Sequence, residues 1–257
     1  MSGVLYERRE RVAWITIDRP ERRNAVDPAA IAQLREAFAR ASHDDGVRAI
    51  VLGGSGDKAF CAGADLSPGS GSFEPDFSQT TNEFAQLLRE GLACTLPIVA
   101  RVNGYCLAGG MGLLAMCDLA VAAESATFGL PEVKVGLFPM QVIALLRRLV
   151  PDRTLDEMAL TGEPLSAHEA LRAGLVNHVV PASELDDKVA WLVARLVDKS
   201  PTAQRRGKYA KRVSAGMDAA EALAFLEGQI ATLAMTQDAR EGRLAFAERR
   251  APTWTGR

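Results

Sequence analysis

Two glycine-containing turns could do chemistry through their backbone amides. They are AFCAGADL at 59–66 and NGYCLAGGMGL at 103–113, and each follows a predicted strand. Glycine lets the backbone approach a ligand closely, and the second turn opens a helix whose first amides have no intrahelical partner and lie at the positive end of the dipole. One amide from each turn could converge on one oxygen and stabilise the oxyanion of an enolate by about 3 kcal/mol per donor.

Two other glycine patterns fail the motifs that they superficially match. GGSGDK at 53–58 does not satisfy the Gly-x-x-x-x-Gly-Lys-Ser/Thr spacing of a phosphate-binding loop. Gly109, Gly110 and Gly112 likewise do not satisfy the dinucleotide-binding fingerprint. The sequence therefore predicts neither of these nucleotide sites.

Cysteine and histidine do not indicate a metal site or a histidine-dependent mechanism. The cysteine spacings match no metal-ligand pattern, and each cysteine lies in or beside an apolar run, which predicts reduced, mostly buried thiols of a cytosolic protein. The histidines have no acidic or nucleophilic neighbour at a suggestive spacing. These residues are Cys61, Cys94, Cys106, Cys117, His43, His168 and His178.

Bulk composition argues against two broad classes of partner. The 257 residues carry a formal net charge of -2, so no basic excess draws the surface to nucleic acid or to an anionic membrane. No apolar run approaches the length of a membrane span, and Arg8, Arg9 and Arg11 interrupt any signal-peptide pattern near the N-terminus. We expect a cytoplasmic protein without a nucleic-acid or membrane partner.

Alternating strands and helices must position the two turns. Apolar periodicity, a capping Asp27 followed by Pro28, and short aliphatic runs supply the signals. The predicted elements are strands over 11–18, 49–52, 97–104 and 118–123, a helix that begins at Asp27, and a helix over 79–93. This alternation indicates an α/β or mixed α+β core.

Two other regions of the sequence differ from this alternating core. Residues 67–78 are rich in Gly, Ser and Pro and predict a mobile loop, whereas the pattern from about Asp152 onward is mostly helical. The predicted helices cover 166–173, 183–199, 201–213, 218–235 and 238–250. We therefore divide the chain into a core domain at 1–195 and a C-terminal helical subdomain at 196–257, which would cover the core or join subunits.

Most of the chain resembles the enoyl-CoA hydratase/isomerase (crotonase) superfamily. The resemblance is strongest in FCAGADL at 60–66 and in PIVARVNGYCLAGGMGLLAMCDLAVAAESATFGLPEVKVGLFP at 97–139. Segments 15–27, 160–181 and 240–256 resemble the family's first strand and turn, its segment before the helical tail, and its last helix. The resemblance implies an α/β (α+β) fold, with a crotonase-like ββα spiral core and a C-terminal helical subdomain.

The same resemblance implies roles for individual residues in the reaction. The amides of Ala64 and Gly109 would hold the thioester oxygen, with Gly110 as the donor if the register shifts by one residue. Glu132 matches one catalytic glutamate of the family, but Gly112 stands where the hydratases have a second. A single carboxylate more naturally moves one proton between two carbons than holds and activates water.

Substrate contacts also follow from the resemblance. Met140 begins an apolar run that replaces a Gly-rich segment of many hydratases and predicts altered acyl selectivity. Coenzyme A is part of the substrate, so no separate cofactor and no metal is implied. The expected coenzyme A contacts are Ala62, Asp65, Arg23, Phe246 and Arg249.

We expect an enzyme that transfers protons on an enoyl-CoA thioester, with hydration of 2-enoyl-CoA or double-bond isomerisation as the net reaction. The alternatives are another acyl-CoA reaction, such as decarboxylation or thioester hydrolysis, and a catalytically weak acyl-CoA binder. Asp65, Glu74 and Asp76 are the other acids near the turns, and we expect a structural role for the first and solvation for the other two. The family resemblance implies a homotrimer or a dimer of trimers.

Overall fold

Two β-sheets organise the chain in the computed structural model, which describes residues 3–72, 74 and 77–257. The strands are β1 (Val4–Arg9), β2 (Val12–Ile17), β3 (Ala49–Gly54), β4 (Ala59–Cys61), β5 (Ile98–Val102), β6 (Tyr105–Leu107), β7 (Leu119–Ala123), β8 (Thr127–Gly129), β9 (Leu165–Ser166) and β10 (His178–Val180). The α-helices are α1 (Pro28–His43), α2 (Glu83–Ala93), α3 (Gly109–Ala115), α4 (Met140–Leu146), α5 (Asp152–Thr161), α6 (Ala167–Arg172), α7 (Leu185–Val197), α8 (Pro201–Ser214), α9 (Ala219–Ala234) and α10 (Gln237–Glu248).

The larger sheet has six strands in the order β1-β2-β3-β5-β7-β10, and its central strands β3 and β7 are buried on both faces. Alternate residues of β3 point to opposite sides, so Ile50 and Leu52 join the main core while Val51 packs with a second cluster. That second cluster includes Val189 and Val193 of α7, which covers this face of the sheet. The sheet is therefore a central layer that gives the core its shape.

The smaller sheet has four short strands in the order β4-β6-β8-β9. Strands β4, β6 and β8 run parallel, with Cys61 opposite Cys106 and Leu107 opposite Gly129. Because the carboxyl ends of parallel strands meet at one edge, the segments that follow these three strands are brought together.

Helix capping explains where the first two helices begin. The Asp27 side chain accepts a hydrogen bond from the Ala30 amide and starts α1, as the sequence predicts. The Asn82 side chain accepts from the Ala85 amide and starts α2 at Glu83. The predicted helix over 79–93 is therefore too long at its beginning, because Asn82 is the cap and the residues before it lie outside the helix.

The C-terminal half contains the predicted run of helices. Helix α7 extends to Val197 and packs on the large sheet through Leu185, Val189 and Val193. A boundary between residues 195 and 196 would cut the last turn of this core helix. The break between elements falls instead at 198–200, before α8.

Two further properties concern the environment of the chain. Among the described residues, no helix combines the length and the apolarity needed to cross a membrane, and a cytoplasmic location stays a prediction. All four cysteines are unpaired, with Cys61, Cys94 and Cys106 buried and Cys117 half-buried. The thiols thus belong to the packed interior, as expected from their apolar neighbours in the sequence.

Candidate active site

Three short segments that follow neighbouring strands form the candidate site. Ala64 follows β4, Gly109 follows β6 and begins α3, and Glu132 follows β8 in a short 3-10 helix over Pro131–Val135. The Ala108 amide donates a hydrogen bond to the Gly129 carbonyl at 2.9 Å, which ties the second segment to the third. The strand order thus brings the three predicted catalytic residues to one edge of the small sheet.

Gly63 brings the first two segments into direct contact. Its φ of +101° lies in the region that favours glycine. A Cβ atom at this position would lie 2.7 Å from the Ala108 Cβ and 3.2 Å from the Gly109 nitrogen. The close approach of the two turns therefore requires glycine here.

The amides of Ala64 and Gly109 are free to bind a ligand. Within residues 3–72, 74 and 77–257, neither donates a hydrogen bond to a protein acceptor. Gly109 is half-buried, whereas Gly110 is buried, with its α-carbon so close to Cys61 that a Cβ would lie 2.2 Å from the Cys61 carbonyl oxygen. The packing favours Gly109 over Gly110 as the second donor.

Glu132 provides a carboxyl group without a hydrogen-bond partner on one oxygen. Its Oε2 atom is buried and contacts no donor among the described residues. Burial raises the pKa of Glu132, and the hydrogen bond with its own backbone amide offsets only part of that increase. A raised pKa makes the carboxylate a better proton acceptor, which suits it to accept and return a proton.

Apolar side chains surround the position where a second glutamate would stand. A Cβ on Gly112 would lie 3.3 Å from both the Phe84 ring and the Val142 side chain, and 3.4 Å from Leu88. The Phe84 ring would also lie 3.3 Å from a Cβ on Gly109. Phe84 could not be selected from the sequence, because only the packing of α2 against α3 brings its ring to the site.

The other acids do not replace the missing glutamate. The Asp65 Oδ1 atom accepts from the Ser67 amide at 3.0 Å and the Ser67 hydroxyl at 2.6 Å, while Oδ2 pairs with Arg19 at 3.0 Å. These hydrogen bonds from Ser67, together with Arg19, lower the pKa of Asp65. Glu74 is exposed, and Asp76 lies outside the described residues.

Some of the predicted coenzyme A contacts lie together beside the first turn. The Ala62 amide donates to the Arg23 carbonyl at 3.1 Å, and the Arg23 guanidinium lies 5.8 Å from the centre of the Tyr105 ring. Arg23 and Lys58 line a cleft of ≈ 220 Å³. Lys58 was not among the residues predicted from the sequence, although a cation directly before AFCAGADL is the type of residue that contacts phosphate.

The remaining predicted substrate contacts are more scattered. Met140 is 69% exposed at the start of α4, which packs against α3. Phe246 is 87% exposed and lines an apolar groove with Ile230 and Trp254. Arg249 ends α10. No contact among the described residues links Phe246 or Arg249 to the candidate site at the ends of β4, β6 and β8 (the strand-end site). Their role therefore stays a prediction.

Comparisons with known proteins point to one family. The family model described as Enoyl-CoA hydratase/isomerase matches residues 7–257. The chain is 35% identical to (E)-benzylidenesuccinyl-CoA hydratase of Thauera aromatica, over 98% of this chain and 99% of that protein. It is 38% identical to carnitinyl-CoA dehydratase of Salmonella typhi, over 95% of this chain and 94% of that protein. The crystal structure of an enoyl-CoA hydratase from Mycobacterium smegmatis is similar with a TM-score of 0.90 at 38% identity, covering 98% of both chains.

Proposed function

The chain belongs to the enoyl-CoA hydratase/isomerase family, and we propose that it moves protons on an enoyl-CoA thioester through an enolate held by two amides. The observation that supports this proposal is the meeting of Ala64, Gly109 and Glu132 beyond three adjacent parallel strands. Two free amides and a carboxyl group with one unpartnered oxygen at this edge would supply an oxyanion site and a proton carrier.

In the proposed reaction the thioester oxygen accepts hydrogen bonds from the amides of Ala64 and Gly109. Glu132, as a carboxylate, takes a proton from the α-carbon of a 3-enoyl-CoA, and the electron pair moves to the thioester oxygen. The resulting dienolate is stabilised by about 3 kcal/mol for each donor. Glu132 then gives a proton to the γ-carbon, the double bond moves into conjugation, and the carboxylate is regenerated.

The surroundings of Gly112 favour isomerisation as the net reaction. Adding water requires a second group that holds or deprotonates the water molecule. The side chains nearest to this position, Phe84, Leu88 and Val142, are apolar and offer water no hydrogen bond. A single carboxylate in this setting is suited to transfer between two carbons.

Hydration is the second candidate, and the relatives support it. The Thauera aromatica protein is named a hydratase and the Salmonella typhi protein a dehydratase, and both names refer to a coenzyme A thioester. If this chain adds water, Glu132 must both activate the water and supply the proton for the α-carbon, since Asp65 is held by Ser67 and Arg19.

We place the coenzyme A portion along the first turn. Arg23 and Lys58 line the cleft and would supply positive charge for phosphate groups, and the Ala62 amide is bonded to the Arg23 carbonyl. Asp65 stays a predicted neighbour. Met140, at the start of α4, is the predicted acyl contact. Phe246 and Arg249 would contribute only if the terminal helix of the same or another copy reaches this cleft.

Exposed apolar residues on α9 support self-association. No residue of this helix is buried, yet Leu223, Leu226 and Ile230 are exposed at spacings of three and four residues, which places them on one face. We propose that this face joins copies in a homotrimer or a dimer of trimers. Light scattering should give three or six times the chain mass, and Ile230→Lys should lower that mass.

The test of the function is a panel of 2-enoyl- and 3-enoyl-CoA thioesters followed by chromatography and mass spectrometry. Isomerisation gives a new species of unchanged mass, whereas hydration gives a product heavier by one water. Glu132→Gln is the matched control and should give neither product. A wild-type protein that binds these thioesters but converts none of them would contradict the proposal.

A further inference from the structure

We propose that Arg19 is a positioning residue that fixes the direction of the Ala64 amide by acting through Asp65. This inference rests on the proposed function of the Ala64 amide as an oxyanion donor. Arg19 follows β2, far along the chain from the first glycine turn, and neither its charge nor its position suggests contact with the thioester.

The Arg19 guanidinium joins three acceptors from two segments. Its Nη2 atom lies 2.7 Å from Asp27 Oδ2 and 3.0 Å from Asp65 Oδ2, and its Nη1 atom donates to the Ala25 carbonyl at 2.5 Å. The side chain of Asp65 is almost fully buried, and that of Arg19 is largely buried. One shared cation therefore holds the two carboxylates together.

Asp65 is the residue directly after the proposed oxyanion donor. The Val26 amide donates to the Gly63 carbonyl at 2.8 Å, and the Val26 carbonyl accepts from the Asp65 amide at 2.9 Å. Val26 therefore bonds to the residues on both sides of Ala64 and forms an isolated parallel bridge with it. Both neighbours of Ala64 are thereby bonded, while its own amide stays free. Arg19 contacts both segments of this bridge. It pairs with Asp65, which follows Ala64, and donates to the carbonyl of Ala25, which precedes Val26.

The geometry requires arginine rather than any cation. A guanidinium presents its donors in a rigid planar fork, whereas a lysine ammonium is a point charge on a flexible stem. Without Arg19, Asp27 and Asp65 would face each other without a shared counter-ion, and their repulsion would open the bridge. A small rotation of the Ala64 amide then follows, and misplacement of about 1 Å at a reacting centre can cost about 10²-fold in rate.

The direct test is spectroscopic and uses an aryl-conjugated 2-enoyl-CoA bound to the full chain in a Glu132→Gln background, which prevents turnover. Polarisation of the thioester carbonyl moves the absorption of this chromophore to longer wavelength. Arg19→Met should lose most of that shift. It should still bind an S-alkyl-CoA thioether, which has no carbonyl oxygen, with nearly unchanged affinity.

Arg101→Met is the matched control. Arg101 pairs with Asp186 between β5 and α7, away from the glycine turns, and its loss should leave the shift intact. In the otherwise natural sequence, Arg19→Met should lower kcat by about 10²-fold, and Arg19→Lys should not restore it. A loss of stability alone would lower the folded fraction of Arg19→Met and Arg101→Met without changing the spectrum of the bound chromophore.

Each outcome of the spectroscopic test supports or overturns the positioning role of Arg19. A full shift in correctly folded Arg19→Met overturns the positioning role and leaves the proposed function standing. If Arg19→Met does not fold, Asp65→Asn takes its place, because it keeps an acceptor for Ser67 but removes the charge that Arg19 binds; a full shift in this variant also overturns the role. Absence of any shift in the Glu132→Gln parent overturns the oxyanion site itself, and the Arg19 role with it.

Discussion

Two carboxyl groups with buried oxygens, in different regions of the molecule, have opposite surroundings. Glu132 lies at the strand-end site, where its Oε2 atom contacts no donor among the described residues. Asp238 lies at the start of α10, is 1% exposed, and accepts from the Ser200 hydroxyl and from the amides of Thr255 and Gly256. The first carboxyl is left without support on one oxygen, whereas the second ties the C-terminal segment to α8 and α10.

The two environments move the pKa values in opposite directions. Burial raises the pKa of Glu132. Burial also raises the pKa of Asp238, but hydrogen bonds from Ser200, Gly256 and Thr255 outweigh it and lower that pKa to about 2. A carboxylate whose pKa is raised accepts a proton more readily and can return it, whereas a carboxylate held by several donors stabilises the fold. Burial without a partner, rather than burial alone, indicates the reactive group.

The largest expected effect is the loss of activity at Glu132. Glu132→Gln keeps the shape of the side chain but cannot carry a proton, so kcat should fall by about 10²–10⁴-fold while acyl-CoA binding changes little. Steady-state kinetics and calorimetric binding measure the two quantities. Asp238→Asn is the matched change in the other region and should keep kcat. Equal losses of kcat at the two positions would contradict a catalytic role that belongs to Glu132 alone.

A similar loss is expected when the oxyanion donor is removed and Glu132 is left in place. Ala64→Pro has no amide proton, so kcat should fall by about 10²–10³-fold. Ala64→Ser keeps the amide and should retain most of the rate, which controls for the change in side chain. Unchanged rates in a correctly folded Ala64→Pro protein would refute the two-amide site.

The next effect concerns stability in the other region. Asp238→Ala leaves the Ser200 hydroxyl and the amides of Thr202, Thr255 and Gly256 without their acceptor, which should lower the free energy of unfolding by about 3 kcal/mol. Urea unfolding measures this loss, and kcat of the folded fraction should not change. Asp198→Ala, at an exposed residue paired with Lys199, should stay within about 0.5 kcal/mol. Similar stabilities for the two variants would contradict the role given to Asp238.

The smallest effect is a gain in stability at Glu132. Because the pKa of Glu132 is higher in the folded than in the unfolded chain, its contribution to stability is present at low pH and is lost as the pH rises through the folded value. Glu132→Gln should therefore raise Tm at a pH above the folded pKa of Glu132, and the gain should vanish below the ordinary pKa of 4.5.

Asp238→Asn should change stability in the opposite direction to Glu132→Gln. The folded pKa of Asp238 is lowered, so its stabilisation is present above its ordinary pKa of 3.8 and is lost as the pH falls towards about 2. The variant should have a lower Tm than the wild type near neutral pH. A thermal melt series over pH that moved both variants in the same direction would contradict the assignment of the two roles.

Long periodic elements could be predicted from the sequence, and short ones could not. Residues 11–18 and 49–52 correspond to β2 and β3, because six-residue aliphatic strands leave a clear pattern. Strands β6 and β8 have three residues each, too few for any period. The small sheet, which positions all three candidate catalytic residues, was therefore not foreseen as a unit. The crotonase-like fold as a whole is confirmed by the structural similarity to known family members.

Some features of the candidate site could likewise be predicted from the sequence, and others could not. Ala64, Gly109 and Glu132 lie in motifs that are continuous in sequence, so family resemblance was sufficient to select them. The Gly63 contact with Ala108, the Phe84 ring beside Gly112, and the Arg19 pairing with Asp65 join residues that are distant in the chain. Such contacts depend on the packing of whole elements, and no local spacing predicts them.

The central claim is that one carboxyl group carries a proton between two carbons of a thioester enolate. The most direct measurement gives the protein a 3-enoyl-CoA with deuterium at both α-positions, in ordinary water, and follows the product by mass spectrometry and deuterium NMR. We expect a 2-enoyl-CoA with part of the deuterium at the γ-carbon, and no such product with Glu132→Gln. Unconverted substrate, or a product that has gained water, would contradict it.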